Sequence, residues 1–125
     1  MEQTKLIVNK CFMSKSCAFK VQLNSSKDCF FHIGQLDQSN GKWTWIKAKM
    51  NESEIGEIIK VLNGAKNSIS FYHSFNGKET KLWFNRKEDF LFVKIESISK
   101  PLSMGEQEIL RILLEHIIIK KNILN

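Results

Sequence analysis

Proline and glycine are scarce in this chain, whose 125 residues include one proline and six glycines. Long flexible linkers are therefore not expected, and we predict one domain over residues 1–125. The three cysteines are odd in number, and none belongs to a Cys-x-x-Cys pair. This pattern argues against a disulfide framework and against a zinc site.

Long apolar segments and targeting signals are also missing. No apolar run approaches the length that crosses a bilayer, so no membrane partner is predicted. The first residues have neither the apolar stretch of a secretory leader nor a transit-peptide composition. We therefore expect an intracellular protein, in the cytoplasm or nucleoid or in a host cell, and not a secreted one.

The sequence contains no recognisable set of catalytic residues. His32, His73 and His116 lie far apart and lack the spacing of metal ligands. A Ser/His/Asp arrangement, a phosphate-binding glycine loop and a pair of catalytic carboxylates are not recognisable either. We therefore predict a protein that is not an enzyme and that needs no metal or cofactor.

Positive charge is concentrated in the first part of the chain. Basic residues outnumber acidic ones by 19 to 13, for a formal net charge of +6. Residues 1–50 contain eight lysines and three acidic residues, Glu2, Asp28 and Asp37. Such an excess favours a polyanionic partner, either nucleic acid or an acidic membrane.

Alternation of apolar and polar residues predicts strands in both halves of the chain. The predicted strands cover residues 5–13, 17–23, 28–35, 42–50, 68–75, 80–86 and 90–98. Asn76-Gly77 is a strong hairpin signal between two of them. The order is four strands and a helix, then three strands and a helix, which indicates an α+β fold with antiparallel sheets.

Both predicted helices begin with a capping-box pattern. Asn51 with Glu54 begins the first helix, and Ser103 with Glu106 begins the second. Gly56 inside the first helix costs about 1 kcal/mol relative to alanine. We expect close packing against a neighbouring backbone to explain this glycine.

The second helix is apolar around most of its circumference, which predicts that it buries more than one side. One buried side would face the core and the other a second subunit. The residues predicted to form this oligomer interface are Leu110, Leu113, Leu114, Ile117 and Ile118.

The strand at residues 42–50 has the strongest functional signal. Alternation places Ile46, Ala48 and Met50 on a core-facing side. The opposite side presents Trp43, Trp45, Lys47 and Lys49. Aromatic surfaces on which bases stack, beside lysines that bind phosphates, are the two ingredients of single-strand binding.

The same combination recurs elsewhere in the chain. Lys81 and Trp83 share a face of one later strand, and Phe90, Phe92 and Lys94 share a face of the next. Basic residues also flank the second strand, at positions Lys15 and Lys20. A simpler interpretation treats the aromatic residues as core or interface side chains, since aromatics are common in strands. Phe90 and Phe92 in particular could fill the space beneath a helix.

Short segments resemble the Whirly family of single-stranded DNA-binding proteins, whose fold is related to the PC4-like coactivators. Glu54-Ile55-Gly56 and Phe71-Tyr72-His73 stand where that family has Thr-Glu-Ile/Val-Gly and Phe-Phe-His. The segment Asp28-Cys-Phe-Phe-His is similar to the family's Asp-Gly-Phe strand. The resemblance covers residues 14–122.

The resemblance implies two antiparallel four-stranded sheets packed nearly at right angles, with a β-β-β-β-α unit occurring twice. It implies a homo-oligomer, a dimer or tetramer assembled through the helices. It further implies binding of single-stranded DNA along the sheets with little sequence preference. The chain is shorter than plant members of the family, which suits a viral or prokaryotic relative.

We therefore predict a single-stranded DNA-binding protein that acts in replication, recombination, repair or transcription. Its predicted nucleic-acid-binding residues are Trp43, Trp45, Lys47, Lys49, Lys15, Lys20, Lys81, Trp83 and Phe92. Two alternatives stay open: an RNA-binding protein of the same fold, and an oligomeric protein-interaction module that uses the apolar face of residues 109–119.

Overall fold

A computed structural model describes residues 4–123, and for Phe75 its backbone only. Over these residues the predicted order of four strands and a helix, repeated, is confirmed with a full set of four strands in each half. The elements are β1 (Leu6–Met13), β2 (Cys17–Asn24), β3 (Cys29–Asp37), β4 (Lys42–Met50), α1 (Glu52–Leu62), β5 (Ser68–Phe75), β6 (Lys78–Lys87), β7 (Phe90–Ile95), β8 (Ile98–Leu102) and α2 (Met104–Lys121).

Each half of the chain forms one antiparallel meander, as the α+β prediction requires. The first sheet has the order β1-β2-β3-β4 and the second has the order β5-β6-β7-β8. Sequential strands pair because each is joined to the next by a short turn, such as Asn76-Gly77, where both residues have positive φ. β4 and β5 are therefore edge strands, and α1 connects them.

A chain of phenylalanine rings joins the inner faces of the two sheets. Phe19 and Phe31 of the first sheet lie 5.1 Å apart between ring centroids, and Phe31 lies 6.0 Å from Phe84 of the second. Phe71 continues the chain, 6.1 Å from Phe84. Since both inner faces share one core, the outer faces of the two sheets point away from each other.

Both predicted capping boxes are confirmed. The side chain of Asn51 accepts a hydrogen bond from the backbone N–H of Glu54 at 2.8 Å, and the Glu54 carboxylate accepts from the Asn51 N–H at 2.9 Å. Ser103 and Glu106 repeat this arrangement at the start of α2. These contacts satisfy backbone donors that a helix leaves without partners in its first turn.

Gly56 does not serve the purpose expected of it. A Cβ atom built on this glycine would meet nothing within 4 Å beyond its own helix. The prediction of close backbone packing is therefore wrong, and the glycine leaves open space beside α1.

The strand predicted at residues 90–98 is two strands. Glu96 has a φ of 55°, and the chain turns there to pair β7 with β8. Glu96-Ser97 contains neither glycine nor asparagine, which are typical of such a turn, so the alternating pattern appeared continuous through these residues. β8 accommodates Pro101 because it is an edge strand, where a residue without an N–H group is tolerated.

The buried side of α2 corrects the predicted set of interface residues. Leu110, Leu114 and Ile117 are fully buried within the single chain, and Leu113 and Ile118 pack partly buried against the same core. The first three have no surface left with which to contact a second chain. A contact between subunits through α2 must use its other side, where the exposed apolar residues are Met104, Ile109, Ile112 and Ile119.

Candidate nucleic-acid interface

The two predicted tryptophans of β4 form a stacked pair on the outer face of the first sheet. The rings of Trp43 and Trp45 lie 5.7 Å apart with an angle of 21° between their planes. Trp45 is 40% exposed, and its ring rests on Gly34 of β3, where a Cβ atom would lie only 2.8 Å from two ring carbons. The glycine therefore makes room for the indole to lie flat against the sheet.

Lysine ammonium groups lie over aromatic rings on the same face. The Nζ atom of Lys20 is 4.7 Å from the centroid of Trp45, and Nζ of Lys47 is 4.2 Å from that of Phe30. Each pair combines a cation with a flat apolar surface, which is the arrangement of a cation–π contact. The bases and the phosphates of a single-stranded nucleic acid could both bind on this face.

His32 lies between these two lysines. In the register of the sheet, Lys20 of β2 is the partner of His32 in β3, and His32 is the partner of Lys47 in β4. Burial, followed by the charges of Lys20 and Lys47, lowers the pKa of His32 below its usual value. The imidazole also makes a 2.9 Å hydrogen bond from Nε2 to Oε1 of Gln22.

Charge on this face is almost entirely positive. Among strands β1–β4, the lysines that project from this face are Lys20, Lys47 and Lys49, and the register places no acidic side chain of these strands on it. Lys49 forms an ion pair with Asp28 at 3.3 Å, just before β3, so its charge is partly neutralised. Lys15 is exposed in the β1–β2 turn, near the end of the sheet where Trp43 lies.

A groove of about 1230 Å³ runs between the edge strands β4 and β5. Trp45, Lys47 and Lys49 line one side of it, and Tyr72 and His73 line the other. The edges of the two sheets lie next to each other at this groove, because α1 connects β4 to β5.

Side chains in the groove are held by polar contacts. Nε2 of His73 lies 2.6 Å from a carboxylate oxygen of Glu54, which also belongs to the capping box of α1. The hydroxyl of Tyr72 donates to Glu79, and this bond raises the pKa of Tyr72 above its usual value. These contacts fix the wall that the second sheet contributes to the groove.

The outer face of the second sheet forms a separate aromatic and basic surface. The ammonium groups of Lys81 and Lys94 lie 4.8 and 5.0 Å from the ring centroid of Trp83. Trp83 and Phe92, with Asn85 and Lys94, line a depression of about 640 Å³. Phe92 faces outward here, so it does not fill the space beneath a helix.

The structure thus distributes the predicted binding residues over two surfaces. Lys20, Trp43, Trp45, Lys47 and Lys49 lie on the first sheet, with Lys15 at its end. Lys81, Trp83 and Phe92 lie on the second. The two groups face away from each other across the core, and residues of both sheets line the β4–β5 groove.

Sequence reasoning missed side chains that complete both surfaces. Phe30 and His32 lie beside Lys47, and Tyr72 lies on the second sheet. Alternation within β3 puts Phe30 and His32 on one side of their strand, and this is the signal that could have found them. Their proximity to Lys47 depends on the register between strands, which one sequence does not reveal.

Residues 4–123 contain neither a candidate metal site nor a helix that could span a membrane. No group of three or more His, Cys, Asp and Glu side chains is positioned to hold a metal ion there. Neither α1 nor α2 is both long and apolar enough to span a membrane.

Comparison with solved structures shows that the chain has the Whirly fold. It is similar to WHY1 from Arabidopsis thaliana, with a TM-score of 0.67, 15% identity and coverage of 94% of this chain and 90% of that one. WHY3 from the same plant gives a TM-score of 0.67 at 14% identity, with coverage of 89% and 86%. The plant transcriptional regulator PBF-2 gives 0.68 at 15% identity, with coverage of 94% and 82%. No protein-family model and no curated protein sequence matches the chain.

Proposed function

We propose that this protein binds single-stranded DNA with little sequence preference and has no enzymatic activity. The observation that carries the proposal is the outer face of the first sheet, where Trp43 and Trp45 stack beside Lys20 and Lys47. The shared fold with a transcriptional regulator supports a DNA transaction as the setting. Replication, recombination, repair and transcription all expose single strands, and we propose that the protein acts in one of them.

Base stacking would supply most of the affinity that does not depend on salt. Stacking on an aromatic side chain contributes about 1–3 kcal/mol per base. Trp43, Trp45 and Trp83 are the proposed platforms, and Phe92 lies beside Trp83 in the same depression. Because every base has a flat face, this contribution is tolerant of sequence.

Lysines would supply the part of the affinity that depends on salt. Lys15, Lys20, Lys47 and Lys81 are proposed to neutralise phosphates, whereas Lys49 contributes less while it is paired with Asp28. Four phosphate contacts on a single strand predict a log–log slope of affinity against salt of about −3.

Titration of intrinsic tryptophan fluorescence with oligo-dT, at low and high salt, tests the proposal. We expect quenching that weakens as salt rises, and a loss of about 1–3 kcal/mol in binding for Trp45→Ala. A folded protein whose fluorescence does not respond to oligo-dT, and which leaves a labelled oligonucleotide free, would refute it. Competition between oligo-dT and oligo-U of equal length separates DNA from RNA binding.

We further propose that the protein is a homo-oligomer that uses the exposed side of α2. Ile109, Ile112 and Ile119 are 44%, 53% and 57% exposed, and their spacing places them on one stripe of the helix. Apolar stripes of this kind on a soluble protein indicate a contact surface. A second copy of the chain could cover the stripe with its own, as in a two-fold symmetric interface.

Light scattering coupled to size-exclusion chromatography tests this assembly. Ile112→Lys is expected to lower the measured mass toward that of one chain, because it places a charge in the stripe. Ile7→Lys is the matched control, since Ile7 is also exposed but lies on β1. An unmodified protein that runs as a monomer at high concentration would refute the assembly and leave the binding proposal standing.

A further inference from the structure

His32 occupies the middle of a row of side chains that crosses the first sheet. Register places Cys11 of β1 beside Lys20, Lys20 beside His32, and His32 beside Lys47. These residues project from the outer face, because their neighbours Phe31 and Ile33 are buried in the core. Cross-strand partners have Cβ atoms about 4.5–5.5 Å apart. The ammonium group of Lys20 lies over Trp45 and that of Lys47 over Phe30, so both flexible side chains would turn toward His32 for one small anion to contact all three basic groups.

The hydrogen-bonding partner of His32 fixes which ring nitrogen is free. Nε2 of Gln22 donates to Oδ1 of Asn9 at 3.1 Å, which directs Oε1 of Gln22 toward His32. A carbonyl oxygen can only accept, so Nε2 of His32 carries a hydrogen in both charge states. Protonation therefore adds its new N–H donor at Nδ1.

Among the described residues, the groups that face His32 are cationic or neutral. Lys20 and Gln22 come from β2, Lys47 from β4, and Cys11 from β1. Lys49 lies two residues further along β4 and is paired at 3.3 Å with Asp28. Glu52 and Glu54 of α1 and Lys121 of α2 line the adjoining β4–β5 groove together with Lys47, but the charges that act on the pKa of His32 are those of Lys20 and Lys47.

We propose that Lys20, His32 and Lys47 together bind one phosphate group of the nucleic-acid backbone, and that His32 takes up a proton when this group binds. The inference rests on the proposed function. It adds His32 to the binding residues, and it adds a dependence of affinity on pH that tryptophans and lysines alone do not provide. A protonated His32 would be repelled by Lys20 and Lys47 in the free protein, whereas a phosphate among the three groups would stabilise all three positive charges.

The expected pH dependence follows from the charge on His32. In the free protein, burial and the two lysines lower its pKa, so the imidazole is neutral at pH 7.5. A bound phosphate favours the charged imidazole and raises that pKa. The complex then holds more protons than the free protein, so affinity rises as pH falls, by at most about tenfold per pH unit for one proton.

Affinity for oligo-dT at pH 5.5 and pH 7.5, measured at constant ionic strength, tests the inference. Oligo-dT is suitable because neither thymine nor the phosphodiester titrates in this range. We expect the unmodified protein to bind at least fivefold more tightly at pH 5.5, and His32→Gln to lose most of that difference. His116→Gln is the matched control that should keep it, since His116 is exposed on α2, away from this face.

A second measurement uses the unmodified protein, so it does not depend on the folding of a variant. The pKa of His32, followed by NMR, should rise when oligo-dT is added. An unchanged pKa, or a pH dependence that survives in His32→Gln, would overturn the inference while leaving the proposed function intact. Absence of binding at both pH values would refute the proposed function itself.

Discussion

Replacement of Gly34 by alanine would disturb the tryptophan platform without removing any of its side chains. The new Cβ atom would lie 2.8 Å from Cε3 and Cζ3 of Trp45. Carbon atoms in favourable contact lie about 3.5–4.0 Å apart, so the indole must move outward by roughly 1 Å. That movement would disrupt its stacking on Trp43 and its contact with the Lys20 ammonium group.

The expected effect is weaker binding of single strands by a protein that is still folded. Loss of one well-positioned stacking surface is expected to cost about 1–2 kcal/mol, or roughly 5- to 30-fold in Kd. Overpacking should also lower the free energy of unfolding by about 1–3 kcal/mol. Anisotropy of a labelled oligo-dT measures binding without relying on tryptophan emission, and circular dichroism reports folding.

Gly56→Ala is the matched control for Gly34→Ala. It makes the same chemical change on α1, where the new methyl group meets open space. Its Kd for oligo-dT should equal that of the unmodified protein. If Gly34→Ala folds and binds within twofold of that value, the position of Trp45 against the sheet does not matter for binding, and the reasoning fails.

Three further predictions concern stability and reactivity. Gly56→Ala should raise the free energy of unfolding by about 0.5–1 kcal/mol in urea denaturation, because alanine favours the helix and fits without contact; a decrease would show hidden crowding. Arg86→Met should lower the free energy of unfolding by about 2–3 kcal/mol in the same assay, since the guanidinium donates to carbonyl groups at the end of α1 and to Gln107. An unchanged urea midpoint would contradict a stabilising role for these hydrogen bonds. Burial raises the pKa of Cys29 to about 12, so a thiol reagent at pH 8 should modify two of the three cysteines in the folded protein and all three in denaturant; rapid reaction of the third in the native state would contradict its burial.

Local patterns in the sequence predicted most of the secondary structure. The capping boxes at Asn51 and Ser103 and the hairpin at Asn76-Gly77 each depend on residues within a few positions of one another. Alternation along β4 correctly separated Trp43 and Trp45 from the buried Met50. The turn at Glu96 was missed because its conformation is imposed by the pairing of β7 with β8 rather than by its own residue type.

The composition of the candidate site was predictable, but its arrangement was not. Sequence identified the tryptophans and most of the lysines, and left out His32 and Phe30, whose importance arises from partners on neighbouring strands. It also could not divide the aromatic residues between two opposed surfaces, since that division depends on how the sheets share one core.

The sequence by itself determined the order of strands and helices, the inward and outward side chains of most strands, and the excess of positive charge. These properties follow from composition and from patterns among residues close in the chain, so they do not depend on contacts between distant residues. Tertiary structure alone decided which outward residues become neighbours, which side of α2 stays exposed, and that Trp45 lies on Gly34. Those outcomes depend on strand register and on competition for a single core, and both are set by contacts between residues distant in the chain.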